Sequence, residues 1–146
     1  MEIKTVTETI SKETTVYIAF DGKEFNYKGD CLRYEEKEAI KRLKESKNLK
    51  YYPEAENCEF PYYNDIPGAA EFYYFKILNE EGLEEIINHV CILSPEYYDR
   101  GLFSNEKIGD IVCIFMDDHN DGVQFSNMKY QKKDIESFFN KFNWEK

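Results

Sequence analysis

The chain has 146 residues, with 19 basic and 29 acidic side chains and a net charge of −10. That length suits one ordinary domain with a real core, and that charge argues against a protein that grips nucleic acid through its phosphates. Apolar residues at 42% and aromatics at 16% exclude a disordered acidic tail, and no apolar run approaches the roughly 20 residues that span a bilayer.

From the N-terminus, Ile3, Val6 and Ile10 stand among Thr and Glu and read as a strand or a loose arm. Thr14 to Phe20 is a β-branched and aromatic run, and Asp21-Gly22 closes it as a turn. Lys23, Glu24 and Phe25 read as a short return strand. Asp30 then suits an N-cap, and Leu32, Ala39, Ile40 and Leu43 follow at helical spacing, so a helix is expected over 30–46. Glu35 and Glu36 lie early in it and Lys41, Arg42 and Lys44 late, as the helix dipole favours. Glu38 and Arg42 form an i,i+4 pair.

Residues 47–70 read as a long irregular connection, broken by Pro53, Pro61, Pro67 and Gly68. A connection of that length is commonly functional or conceals an element. Phe72 to Leu78 is a strong strand. Asn79 caps a helix carrying Leu83, Ile86, Ile87 and Val90, in which Gly82 costs about 1 kcal/mol relative to Ala. Ser94-Pro95 opens a further loop with Tyr97, Tyr98 and Asp99. Ile111 to Met116 reads as a buried strand, Asn120-Asp121-Gly122 as a hairpin turn, and Val123 to Met128 as the partner strand. Ile135, Phe138, Phe139 and Phe142 form the stripe of a last helix, with Trp144 beyond it.

This order predicts an α+β fold, a mainly antiparallel sheet with about three helices packed against it. A single domain over 1–146 is expected. Residues 1–48 form its strand-turn-helix unit and 49–146 its acidic, aromatic-rich remainder.

The charge is unevenly placed. Residues 1–50 sum to +1, residues 51–128 to −13 and residues 129–146 to +2. The middle segment holds three cations, Lys76, Arg100 and Lys107, against 16 carboxylates. This asymmetry is the strongest signal in the composition.

Chemical motifs are sparse. Asp117-Asp118-His119-Asn120-Asp121-Gly122 has the opening rhythm of a calcium loop, but position 12 is Met128 where the bidentate carboxylate belongs. An acidic hairpin turn is the simpler reading. His89, Cys91, Cys113 and His119 lack the tight ligand pairs of structural zinc. No Gly-rich phosphate loop, H-E-x-x-H or G-x-S-x-G occurs, and no Cys-His nucleophile has a supporting signature. No catalytic residue, metal or cofactor is therefore assigned. Cys31, Cys58, Cys91 and Cys113 contain no C-x-x-C and read as small buried thiols in a reducing compartment. No basic start followed by an apolar stretch appears, so the expected location is the cytoplasm of a bacterial host. Glu80, Glu81, Glu84 and Glu85 read as a solvated helix face.

The acidic segment also carries 14 aromatics. Tyrosine supplies rigid contact area at low entropic cost, and carboxylates around it steer a basic partner. The ordinary alternative is solubility charge plus packed tyrosines.

Thr15-Val16-Tyr17-Ile18-Ala19-Phe20-Asp21-Gly22-Lys23-Glu24-Phe25, followed by Cys31-Leu32-Arg33-Tyr34-Glu35, resembles the opening of small proteins of phages and mobile elements of low-GC Gram-positive bacteria. The resemblance covers roughly residues 14–46 and brings no catalytic residues. It implies a phage-like source, and among small acidic phage proteins it implies the anti-CRISPR-like class.

The leading expectation is a non-enzymatic inhibitor. It binds a basic nucleic-acid-handling defence protein, such as a CRISPR effector nuclease, and occludes its groove. No direct nucleic-acid or membrane partner is expected. The expected contact residues are Tyr51, Tyr52, Glu54, Glu56, Glu59, Tyr62, Tyr63 and Asp65, with Asp117, Asp118 and Asp121 as a second patch. An immunity protein against a basic toxin is the first alternative. A small enzyme using a metal at Asp117, Asp118 and Asp121 is the second.

Overall fold

The computed structural model describes residues 1–7, 13–59, 71–116 and 123–142. The chain divides into two compact units, Met1–Arg42 and Leu43–Lys146. The boundary falls inside the first helix, a few residues before the end of the expected strand-turn-helix unit.

The first unit holds β1 (Glu2–Thr7), β2 (Glu13–Ile18), β3 (Glu24–Phe25) and most of α1 (Lys28–Glu45). Its sheet is antiparallel in the order β1-β2-β3, and β1 pairs with β2 from Glu2↔Ile18 to Thr7↔Glu13. The Asp21-Gly22 turn forms as expected. Gly22 sits at φ +92°, a region that favours glycine, and its N–H donates to the Ala19 carbonyl at 2.9 Å. The helix starts at Lys28, so Asp30 lies in its first turn rather than at the cap. Cys31 is fully buried and Glu35 nearly so. The Glu35 carboxylate accepts from the Phe20 N–H at 3.1 Å and pairs with the Met1 amino group at 3.3 Å. Tyr34 donates its hydroxyl to Asp21 and sets its ring 5.2 Å from Phe25. The Arg42 guanidinium lies 4.4 Å over the Phe20 ring. These contacts fasten α1 to the β2–β3 turn.

The second unit holds the last turn of α1, β4 (Leu49–Tyr51), β5 (Glu71–Ile77), α2 (Glu80–Leu93), β6 (Ile111–Met116), β7 (Gln124–Asn127) and α3 (Met128–Phe139). Its sheet is antiparallel, in the order β4-β5-β6-β7. The expected α+β class holds, with the strands shared between two sheets. The period of two sorts the side chains of β5 and β6 onto two faces. Phe75 and Ile77 share one face with Val112 and Ile114, and Phe72 and Tyr74 share the other with Cys113 and Phe115. Both faces are buried, which explains the continuous apolar runs.

Helix α2 buries Ile86, Ile87 and Val90, and its Gly82 abuts Leu49, the β4 partner of Ile77 on the first face. Its Asn79 cap forms as expected, accepting from the Gly82 N–H at 2.9 Å. Gly82 has a packing role that outweighs its helix cost. A Cβ there would stand 2.3 Å from the Asn48 carbonyl oxygen. Glu85 accepts from the Ser46 hydroxyl and, at 3.1 Å, from Asn48 Nδ2, so it is a structural link and not part of a solvated face.

Three expectations change. The connection over 47–70 contains β4 and a 3-10 helix at Pro53–Ala55, and a second 3-10 helix occupies Arg100–Phe103. The last strand ends at Asn127, because the Asn127 side chain accepts from the Lys129 N–H at 3.0 Å and starts α3 at Met128. The apolar stripe of Ile135, Phe138, Phe139 and Phe142 falls on α3 and the residues just beyond it. Yet α3 has no buried residue, and Phe138, Phe139 and Phe142 are 41–50% exposed, with the Phe138 ring edge-on to the other two. Met128, at the start of the helix, packs on the Phe72–Phe115 cluster. The expected turn at Asn120-Asp121-Gly122 and the position of Trp144 lie outside the described residues.

Candidate partner-binding surface

The segment after β4 is held by backbone hydrogen bonds. The Tyr52 N–H donates to the Tyr74 carbonyl at 3.1 Å and prolongs the β4–β5 ladder by one rung. Pro53 then opens the 3-10 helix, where its missing N–H has no partner to lose. Asn57 sits at φ +63°. Its N–H donates to the Phe72 carbonyl at 2.8 Å, and its Oδ1 accepts from the Phe72 N–H at 3.1 Å. Asparagine tolerates this left-handed conformation better than most residues. The Tyr74 hydroxyl donates to the Cys58 carbonyl.

This framework sorts the expected contact residues. Glu54 and Glu59 are exposed and form no ion pair among the described residues. Glu56 and Tyr51 face each other: the Tyr51 hydroxyl donates to Glu56, and Lys44 reaches the same carboxylate at 3.4 Å. The Lys44 ammonium also lies 5.1 Å from the Tyr51 ring and 4.7 Å from the Tyr73 ring. Cation, rings and carboxylate thus satisfy one another. Tyr51 titrates well above the usual phenol range, through burial first and then the Glu56 hydrogen bond. The same hydrogen bond, with Lys44, holds Glu56 below the usual carboxylate range.

Tyr52 is half-buried against Phe72, Tyr74, Cys113 and Phe115, with the Lys50 ammonium 5.1 Å above its ring. Tyr73 and Tyr74 are buried, and Tyr98 accepts from the Phe125 N–H at 3.1 Å. Among the described tyrosines of the acidic segment, Tyr97 alone is exposed, at 68%. Tyr62, Tyr63, Asp65, Asp117, Asp118 and Asp121 lie outside the described residues.

Two carboxylates of α2 are exposed as well, at a separate place, beyond the other end of β5. Glu80 and Glu81 are exposed in its first turn and have no ion pair among the described residues. Glu84 is engaged instead, since Arg100 grips it and also reaches Asn88 Oδ1 at 2.8 Å. Of the three cations in the acidic segment, Arg100 is therefore committed to an internal pair.

The thiols only partly match expectation. All four are free; Cys31 and Cys113 are buried, Cys91 is half-buried and Cys58 is exposed. Cys58 follows the 3-10 helix, outside any packed element. Burial pushes the Cys113 thiol up to about 12. Among the described residues no group of three or more His, Cys, Asp or Glu is placed to hold a metal ion, and no helix is long and apolar enough to cross a membrane.

Comparison with protein-family models, curated proteins and solved structures finds no match. The protein carries exposed carboxylates at Glu54 and Glu59 on the braced segment after β4, and at Glu80 and Glu81 at the start of α2, with an exposed aromatic, Tyr97, beyond the end of α2. Such groups can attract a basic partner and give it an aromatic contact.

Proposed function

We propose that this protein is a binding protein that blocks a basic, nucleic-acid-handling protein by presenting fixed negative charge where nucleic acid would lie. The observation that carries this reading is the net charge of −13 over residues 51–128, with Glu54, Glu59, Glu80 and Glu81 exposed and no ion pair to offset them among the described residues. A groove built for phosphates attracts carboxylates by the same field. The resemblance of residues 14–46 to phage proteins makes a defence nuclease, a CRISPR effector among them, the first target to assay. Its host's cytoplasm is the proposed site of action.

Tyr51 and Glu56 are not contact residues in this reading, because they serve each other and Lys44. Glu54 and Glu59 are retained, and Glu80, Glu81 and Tyr97 are added. The test is charge reversal. Glu54→Lys with Glu59→Lys, and separately Glu80→Lys with Glu81→Lys, should weaken binding to the captured target, chiefly by slowing association. Unchanged affinity in both double variants would sink the proposal.

A further inference from the structure

Sheet edges invite pairing unless something blunts them. In the second unit the edges are short: β4 has three residues, and β7 has four before the chain turns into α3. In the first unit β3 has two. Strand β1 differs. It runs six residues, pairs with β2 without a bulge along its length, and contains neither proline nor glycine. Its outer edge is unpaired among the described residues. Glu2, Ile3, Lys4 and Thr5 are all exposed, so both faces of this stretch are open, and Ile3 is 63% exposed. The Met1 amino group, held at 3.3 Å by buried Glu35, anchors its start.

We propose that this edge pairs with β1 of a second copy of the chain, antiparallel, about a twofold axis at Ile3. The charges select that register. Two identical antiparallel strands related by a twofold axis must place the axis through a residue, since only then do opposed residues share a face. An axis at Lys4 sets Lys4 against its own copy. An axis at Glu2 does the same with two carboxylates, and axes at Thr5 or Val6 set no two charged residues of β1 opposite each other. Only the axis at Ile3 sets Glu2 opposite Lys4, twice by symmetry, with the exposed Ile3 side chains meeting on the other face of the sheet. Directly opposed cross-strand charges attract when unlike and destabilise when alike. Lysine on an edge normally discourages pairing. Here Glu2 converts that deterrent into a requirement for one register. The pairing joins two three-stranded sheets into one continuous sheet. Its area is small, so the dimer is concentration-dependent.

The test is sedimentation velocity on the full chain over a range of concentrations, with circular dichroism to confirm the fold of each variant. The wild-type protein should move from the 17.4 kDa monomer toward twice that mass as concentration rises. Lys4→Glu, which opposes Glu2 with a second carboxylate, should weaken the dimer about tenfold or more, and Glu2→Lys should do likewise. The exchanged double variant, Glu2→Lys with Lys4→Glu, should restore it. An equimolar mixture of the two single variants should also dimerise, because each supplies the charge the other lacks. A wild-type chain that stays monomeric at its highest soluble concentration overturns the proposal. So does a Lys4→Glu variant that sediments like wild type, or a mixture that fails to associate.

Discussion

Asn57 clasps the Phe72 backbone from both sides, its N–H donating to the Phe72 carbonyl at 2.8 Å and its side-chain Oδ1 accepting from the Phe72 N–H at 3.1 Å. The clasp closes the segment that displays Glu54 and Glu59. Asn57→Ala removes the side-chain acceptor and leaves a residue poorly suited to φ +63°. It should destabilise the second unit by about 2 kcal/mol. Asn57→Gly, which relieves the backbone and loses only the acceptor, should cost less. Urea titration of both variants checks the order, and an Asn57→Ala protein as stable as wild type would remove the clasp from the account.

Gly82 is held small by the Asn48 carbonyl. Helix propensity alone says that Gly82→Ala stabilises α2 by about 1 kcal/mol. The 2.3 Å approach says the reverse, because the obstacle is backbone. A net loss of about 1–3 kcal/mol is expected, read as a lowered denaturation midpoint. A raised midpoint would show that β4 yields to the added methyl.

His89 supplies a pH dependence. It is buried in α2, its Nε2 has no hydrogen-bond partner among the described residues, and burial lowers its pKa from 6.5 to about 4. The folded state therefore favours the neutral ring, and the unfolded chain takes up the proton first. The stabilising contribution is complete above the unfolded value of 6.5 and falls away as pH drops toward 4. The loss reaches about 3 kcal/mol near pH 4, at up to about 1.4 kcal/mol per pH unit. His89→Gln should flatten this part of the stability–pH profile. Equal slopes for both proteins between pH 6.5 and pH 4 would contradict it.

Tyr51 separates fold from binding. Tyr51→Phe deletes the hydroxyl that serves Glu56 and leaves the ring beneath Lys44. Stability should fall by about 1 kcal/mol. Affinity for the target should stay within twofold of wild type, since the hydroxyl already has its partner. A large affinity loss with little change in stability would return Tyr51 to the contact surface.

Much of the fold was legible in the sequence because it rests on local signals. The Asp21-Gly22 turn, the Asn79 cap and the apolar run from Ile111 to Met116 each state their own conformation. Strand β4 was not legible, because Leu49 to Tyr51 is a strand through its pairing with Phe75 to Ile77 and through little of its own. The surroundings of the aromatic stripe of α3 were not legible for a related reason. Periodicity shows that a face exists but not what lies against it, and Phe138, Phe139 and Phe142 remain half-exposed. In the candidate site the sequence located the charge but could not tell Glu54 from Glu56. That distinction depends on Lys44 and Tyr51 converging on one carboxylate from α1 and β4.

The most direct measurement is capture by the tagged protein from a Gram-positive lysate rich in nucleic-acid-based defence systems. The eluate is read by mass spectrometry, with elution by salt compared with elution by nucleic acid. The account predicts one dominant basic, nucleic-acid-binding protein, retained at low ionic strength, released as exposed charges are screened and displaced by its own nucleic acid. A captured partner that resists salt and is indifferent to nucleic acid would contradict groove occlusion, and so would a lysate that yields no specific partner.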